Sequence, residues 1–133
     1  MGVFTAMGIS ASGLRAERMR MDVTASNIAN VETTRTPEGG PYRRRQVVLQ
    51  SASGSSAAVA VQVMAVEPEP GPPARVHMPG HPDADSEGYV LVPNIEMPLE
   101  MADLIVAARA YEANAAAFRA GRDLIRQALS ILA

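Results

Sequence analysis

The residues best suited to chemistry in this chain lie in one short run, His81-Pro82-Asp83-Ala84-Asp85-Ser86-Glu87-Gly88. Carboxylates at alternate positions closing on glycine are the pattern of a calcium loop, in which side-chain oxygens surround a hard cation. The pattern breaks at two points: Glu87 stands where such a loop carries Asp or Asn, and Asn94 stands where the closing bidentate Glu belongs. A polar turn explains the run better, with a small calcium-binding protein using Asp83, Asp85 and Glu87 as the alternative. His77 and His81 have the spacing of a helical metal pair, but Pro79 and Gly80 lie between them and forbid the helix that would aim both rings at one ion. They too read as turn residues, so no metal or cofactor is expected.

Arg43, Arg44 and Arg45 could form a nucleic-acid patch, yet along a strand they point to alternating faces, and only Tyr42 is an aromatic neighbour. A charge-guarded edge, or an interface with an acidic neighbour, accounts for them better. No glycine-rich phosphate loop follows a strand, and with two histidines in the chain no Ser, His and Asp arrangement can be picked out. Nothing here supplies catalytic machinery, and an enzyme is not expected.

Composition points the same way. Hydrophobic residues make up 47% of the 133, but aromatics only 4%, with two Phe, three Tyr and no Trp. Much of the apolar content is Ala and Val, which bury little area each, so partner chains may be needed to complete the burial. The net charge of -2 gives no footprint for nucleic acid or anionic lipid. Cysteine is absent, which removes disulfides and thiolate sites without fixing the compartment. All twelve basic residues are Arg, whose planar fork suits interfaces. Residues 1–14 have neither a basic start nor an unbroken apolar stretch, so a secretory signal peptide is not expected. Ala6 departs from the myristoylation pattern, and no apolar run is long enough to span a membrane.

The elements that must position these residues separate by period. Residues 1–33, 34–97 and 98–133 form three regions: a helix to about Val31, a Gly, Pro and Ser-rich middle with strand-like stretches, and a second helix from about Leu99. In the first, Phe4, Met7, Ala11, Leu14, Arg18, Met21, Ala25 and Ile28 are spaced alternately three and four apart, the seam of a coiled coil. Gly8, Ser10, Ser12 and Gly13 are weak helix formers, so this helix is expected to need a partner. In the second, Met101, Leu104, Ala108, Tyr111, Ala115, Phe118, Arg122, Ile125, Leu129 and Leu132 repeat the spacing over a longer span, which would make a rod of about 50 Å at 1.5 Å per residue. Pro98, Glu100 and Asp103 suit its start, and Arg119, Arg122 and Arg126 its end.

Ordinary core packing would explain either stripe alone. Their position at opposite ends of the chain predicts an antiparallel coiled coil closing around the middle, mainly α with a small β insertion, and with apolar faces such as Ile105 and Val106 left for other copies. Arg18 and Arg122 each interrupt a seam, either snorkelling to solvent or pairing with a neighbour's carboxylate. In the middle, Tyr42 to Gln50 and Ala57 to Val66 read as strands joined by Ser51 to Ser56, and Tyr89 to Val92 as a third. Glu67 to Pro73, rich in proline, reads as a stiff linker excluded from any central strand.

The run Ser26-Asn27-Ile28-Ala29-Asn30-Val31-Glu32-Thr33 has a sufficient structural account as a helix end. It also resembles the N-terminal signature of the flagellar rod and hook protein family, although Glu32 stands where that family often has Asn. The likeness continues through Gly39-Gly40-Pro41-Tyr42-Arg43-Arg44, Gly80 to Asp85, Gly88-Tyr89-Val90 and Pro93-Asn94 to Arg109-Ala110-Tyr111-Glu112-Ala113-Asn114. The terminal pieces are shared across the family, and the middle runs narrow the likeness to its proximal-rod branch. The matching positions are Asn27, Asn30, Thr33, Tyr42, His81, Asp83, Asp85, Tyr89, Tyr111, Glu112 and Asn114.

The resemblance implies a structural drive-shaft subunit with no cofactor, built into a helical tube in the periplasm and exported by the flagellar type III apparatus without a signal peptide. It implies further copies of the chain, FlgB and FlgF as neighbours, and FliE nearer the membrane ring. The two seams would then be the assembly interface, and Val3, Phe4, Met7 and Ile9 an apolar export segment. A cytoplasmic coiled-coil adaptor is the other alternative.

Overall fold

The computed structural model describes residues 2–53 and 59–132. Two helices, α1 (Val3–Ala29) and α2 (Met97–Leu132), flank four strands: β1 (Arg45–Ser53), β2 (Val59–Pro68), β3 (Ala74–His77) and β4 (Tyr89–Val92). The strands pair as two separate antiparallel ribbons, β1 with β2 and β3 with β4. This is the expected class, two terminal helices around a small β region.

Alanine, leucine, glutamate and arginine dominate α2, all strong helix formers. Pro98 falls in its first turn, where the missing N–H costs nothing. α1 carries its glycines and serines in its first half and holds by packing. It stops at Asn30, whose N–H bonds to the Ser26 and Asn27 carbonyls and whose side-chain amide donates to the Ser26 carbonyl at 2.8 Å. Thr33 then bonds the Asn30 side chain at 3.1 Å and turns the chain toward the strands.

The helices run antiparallel, as three meetings in reversed order establish. Asn27 lies against Glu100. Gly13 backs onto Asn114, so that a Cβ at position 13 would sit 2.8 Å from the amide, and Gly121 backs onto Met7, with 2.7 Å to the Met7 Cγ. Small residues thus bring the two backbones close. The fully buried set among the described residues is brief: Ala16, Val90 and Ala107 with Ser12, Asn27 and Glu100. That follows from a composition with few large side chains, and it leaves many apolar groups at the surface.

The β1–β2 ribbon lies along α1. The Ser12 hydroxyl donates to the Ile9 carbonyl at 2.7 Å and accepts the Val61 N–H at 3.1 Å, bonding helix directly to strand. The ribbon's register shifts between Val48 and Leu49, a local irregularity that re-aims the strand.

Three local expectations are corrected. β1 begins at Arg45 rather than Tyr42, because Tyr42 is held at the helix end, its N–H on the Thr33 carbonyl and its hydroxyl on Asn27. Glu67 and Pro68 complete β2 instead of opening a linker; Pro68 is tolerated at the end of a strand in a two-stranded ribbon. His77 stands in a strand, β3, rather than a turn; four residues are too few for alternation to reveal, and β4 supplies the ladder.

Gly88 joins the β3–β4 ribbon at φ +80, and a Cβ there would lie 3.0 Å from the Pro79 Cβ and 3.2 Å from the His77 Nε2. Gly88→Ala is therefore expected to lower stability by about 1–3 kcal/mol, measured by urea unfolding. A loss under about 0.5 kcal/mol would show that the turn relaxes freely.

Candidate assembly surface and its polar clasp

Where the chain leaves α1, approaches β1 and later enters α2, the three passages are tied by a buried polar group of residues. Asn27, 1% exposed, uses its full hydrogen-bonding capacity. Its Nδ2 donates to the Arg45 carbonyl at 2.9 Å and to Glu100 Oε2 at 3.1 Å, while its Oδ1 accepts from the Arg45 N–H at 3.0 Å and the Tyr42 hydroxyl at 3.1 Å. Glu100, also 1% exposed, receives Arg44 Nε on Oε1 at 2.5 Å. Arg44 then reaches Glu69 at 3.5 Å and Asp103 at 3.7 Å. Burial opposes the Arg44 charge, but the hydrogen bond and charge of Glu100 outweigh it, and its pKa stands above the ordinary arginine value. The guanidinium thus has its acidic partners within the chain.

Glu100 and its partner Arg44 are the functional residues sequence reading missed, since the glutamate was assigned to the helix dipole. One signal was available: Glu100 shares the inward spacing of Leu104, Ala107 and Tyr111, where an acid needs a partner.

A second cluster orders the loop around β4. Thr34 donates to Asp83 at 2.8 Å and Arg35 pairs with the same carboxylate. Arg75 spans Asp85 at 3.0 Å and Glu87 at 2.7 Å, with its guanidinium 4.1 Å above the Tyr89 ring. Asp85 Oδ1 also accepts the N–H groups of Glu87 and Tyr89. The carboxylates of the calcium-like run are therefore engaged by threonine, arginine and backbone, as in a closed turn; His81 Nδ1 accepts the Asp83 N–H.

The Thr34 bond, against some desolvation and with help from Arg35, holds the Asp83 carboxyl below the usual carboxylate range, and the Tyr89 N–H does the same for Asp85. A depressed folded-state pKa stabilises fully above the unfolded value and fades as pH falls through the folded one. Loosening of this loop is thus expected below about pH 4, seen as faster amide exchange at Tyr89. Exchange unchanged down to about pH 2 would rule it out.

The predicted seam residues fall into two groups. Met7, Ala11, Leu14, Met21 and Ile28 on α1, and Leu104, Ala108, Tyr111, Phe118 and Ile125 on α2, are half-buried. Phe4 (77% exposed), Met101 and Leu129 (61% exposed) lie open to solvent. Arg18 and Arg122 point outward, Arg122 meeting Asp123 at 3.4 Å. Of the export candidates, Val3 and Phe4 are exposed and Met7 and Ile9 half-buried. The signature residues divide as well: Asn27 and Tyr42 meet in the clasp, Asn30 pairs with Thr33, and Asp83, Asp85 and Tyr89 belong to the β4 loop. Tyr111, Glu112 and Asn114 stand apart along α2.

Past Ile125, residues 126–132 of α2 are all exposed, with Ile131 and Leu132 each at 83%. α2 thus outruns α1 and ends in an apolar overhang beside Phe4. None of the helices among the described residues is long and apolar enough to cross a membrane.

An elongated helix pair with apolar faces left open defines an assembly subunit, and comparison with known proteins agrees. Residues 7–35 match the family model described as flagella basal body rod protein, and residues 86–131 match that of the flagellar basal body rod FlgEFG protein C-terminal region. Flagellar basal-body rod protein FlgC of Borreliella burgdorferi is 37% identical over 99% of this chain and 99% of its own. That of Bacillus subtilis is 38% identical over 98% and 99%, and that of Aquifex aeolicus 39% identical over 96% and 95%. The chain belongs to the FlgC family of flagellar basal-body rod proteins. It is a structural rod subunit and not an enzyme.

Proposed function

We propose that this subunit builds the proximal rod by packing its terminal helices against those of neighbouring subunits in a helical tube within the periplasm. The observation that carries the reading is the apolar surface the chain leaves uncovered: Leu99, Met101, Ile105, Val106 and Leu124 along α2, and the overhang with Phe4. A monomer of this size gains nothing from displaying such a surface, whereas a tube buries it. Residues 1–33 and 98–133 form the packing unit and residues 34–97 the insert it carries. Its neighbours are further copies of the chain, FlgB and FlgF, with FliE at the end nearer the membrane ring.

Delivery runs through the flagellar type III export apparatus, with Val3, Phe4, Met7 and Ile9 as the export segment. Fractionation of cells tests the location. The subunit is expected with basal bodies outside the inner membrane, and to accumulate in the cytoplasm when the export apparatus is removed. Recovery only from the cytoplasm of swimming cells would favour a cytoplasmic coiled-coil adaptor instead.

A further inference from the structure

We propose that the clasp of Asn27, Glu100 and Arg44 is a register lock, selecting one of two apolar alignments of α2 on α1 and so keeping the overhang extended. α2 has 36 residues and α1 only 27, so α1 can be covered over its whole length in more than one way. Consider α2 displaced by one heptad, roughly 10 Å along its axis, so that the overhang is drawn back over α1. Ala128 would replace Gly121 against Met7, and Gly121 would replace Asn114 against Gly13, with Leu129 and Leu132 continuing the stripe.

Neither close approach forbids the displacement, because each would meet a small side chain. Apolar matching favours it, because leucines now in solvent would gain cover. What it destroys is the clasp. Ala107 would face Asn27, and Glu100 would leave both Asn27 and Arg44. A fully hydrogen-bonded buried polar group among near-equivalent apolar contacts is the arrangement that fixes register in paired helices. Here it holds an apolar end outward against the pull of its own hydrophobicity.

The lock acts within one chain, so its test needs no rod. The chain has no cysteine, which lets introduced pairs report alignment alone. Met7→Cys with Gly121→Cys marks the observed register, and Met7→Cys with Ala128→Cys the displaced one. In full-length subunit with the clasp intact, dilute oxidation is expected to close the first pair and leave the second open. Adding Asn27→Ala and Glu100→Ala is expected to raise the ratio of second to first crosslink roughly tenfold. An unchanged ratio, or ready closure of the second pair with the clasp intact, overturns the proposal. Should the double alanine variant lose its helical circular dichroism, Glu100→Gln decides, since it keeps the shape and removes the ion pair. A ratio that stays flat in that variant overturns the proposal equally.

Discussion

Arg44→Met is expected to destabilise the isolated subunit by about 3–5 kcal/mol, because it strips the guanidinium from a carboxylate that is already out of water. Glu100 would keep one hydrogen bond, from Asn27 at 3.1 Å, and retain almost no access to solvent. Breaking one side of such a pair costs more than the pair itself contributes, since the remaining charge has nothing to replace its hydration. The effect should be a large part of the total stability, about 5–15 kcal/mol for a typical domain. Urea unfolding followed by circular dichroism measures it. A loss under about 1 kcal/mol would show that Glu69, Asp103 and solvent make the clasp dispensable. Replacing Arg44 and Glu100 together by apolar residues of similar volume should recover much of the loss, because no charge is then left stranded.

The second large effect separates folding from assembly. Leu104→Asp and Phe118→Asp each place a carboxylate on the half-buried face between the helices, and each is expected to cost roughly 2–3 kcal/mol and to stop rod formation. Leu129→Asp alters a residue that is 61% exposed, so the stability of the single chain should stay within about 0.5 kcal/mol while rod formation still fails. Swimming in soft agar and recovery of basal bodies report assembly, and urea unfolding reports the chain. If the Leu129→Asp cells swim normally, the overhang is no part of the interface. If Phe118→Asp cells do so, the seam lies elsewhere on α2.

The helices were legible because their apolar spacing persists over many turns, and a pattern repeated from Leu104 to Ile125 survives errors at any one position. Their antiparallel closure was legible too, from the two seams at opposite ends. The contacts that align them were not. Gly13 and Gly121 resemble ordinary weak points in a helix, and only the facing side chains reveal them as places of close approach. Glu100 looked like a complement to the helix dipole because its partners Asn27 and Arg44 are distant in sequence. β3 escaped because a four-residue strand owes its existence to its neighbour, and Glu67 and Pro68 escaped because composition says little about which prolines sit at a ladder's end. Local pattern thus revealed the elements, while long-range polar pairing, which has no period, stayed hidden.

The two ends of the helix pair are fastened by different forces, and this gives the subunit a thermal polarity. Apolar association weakens on cooling, because its driving force near room temperature is largely entropic, whereas a pairing of arginine, carboxylate and amide has no such dependence. Chilling should therefore loosen the end beside Phe4 and Leu132 first and leave the Asn27 end fastened. Rods taken apart in the cold would then release subunits still joined as hairpins, ready to reassemble on warming without refolding.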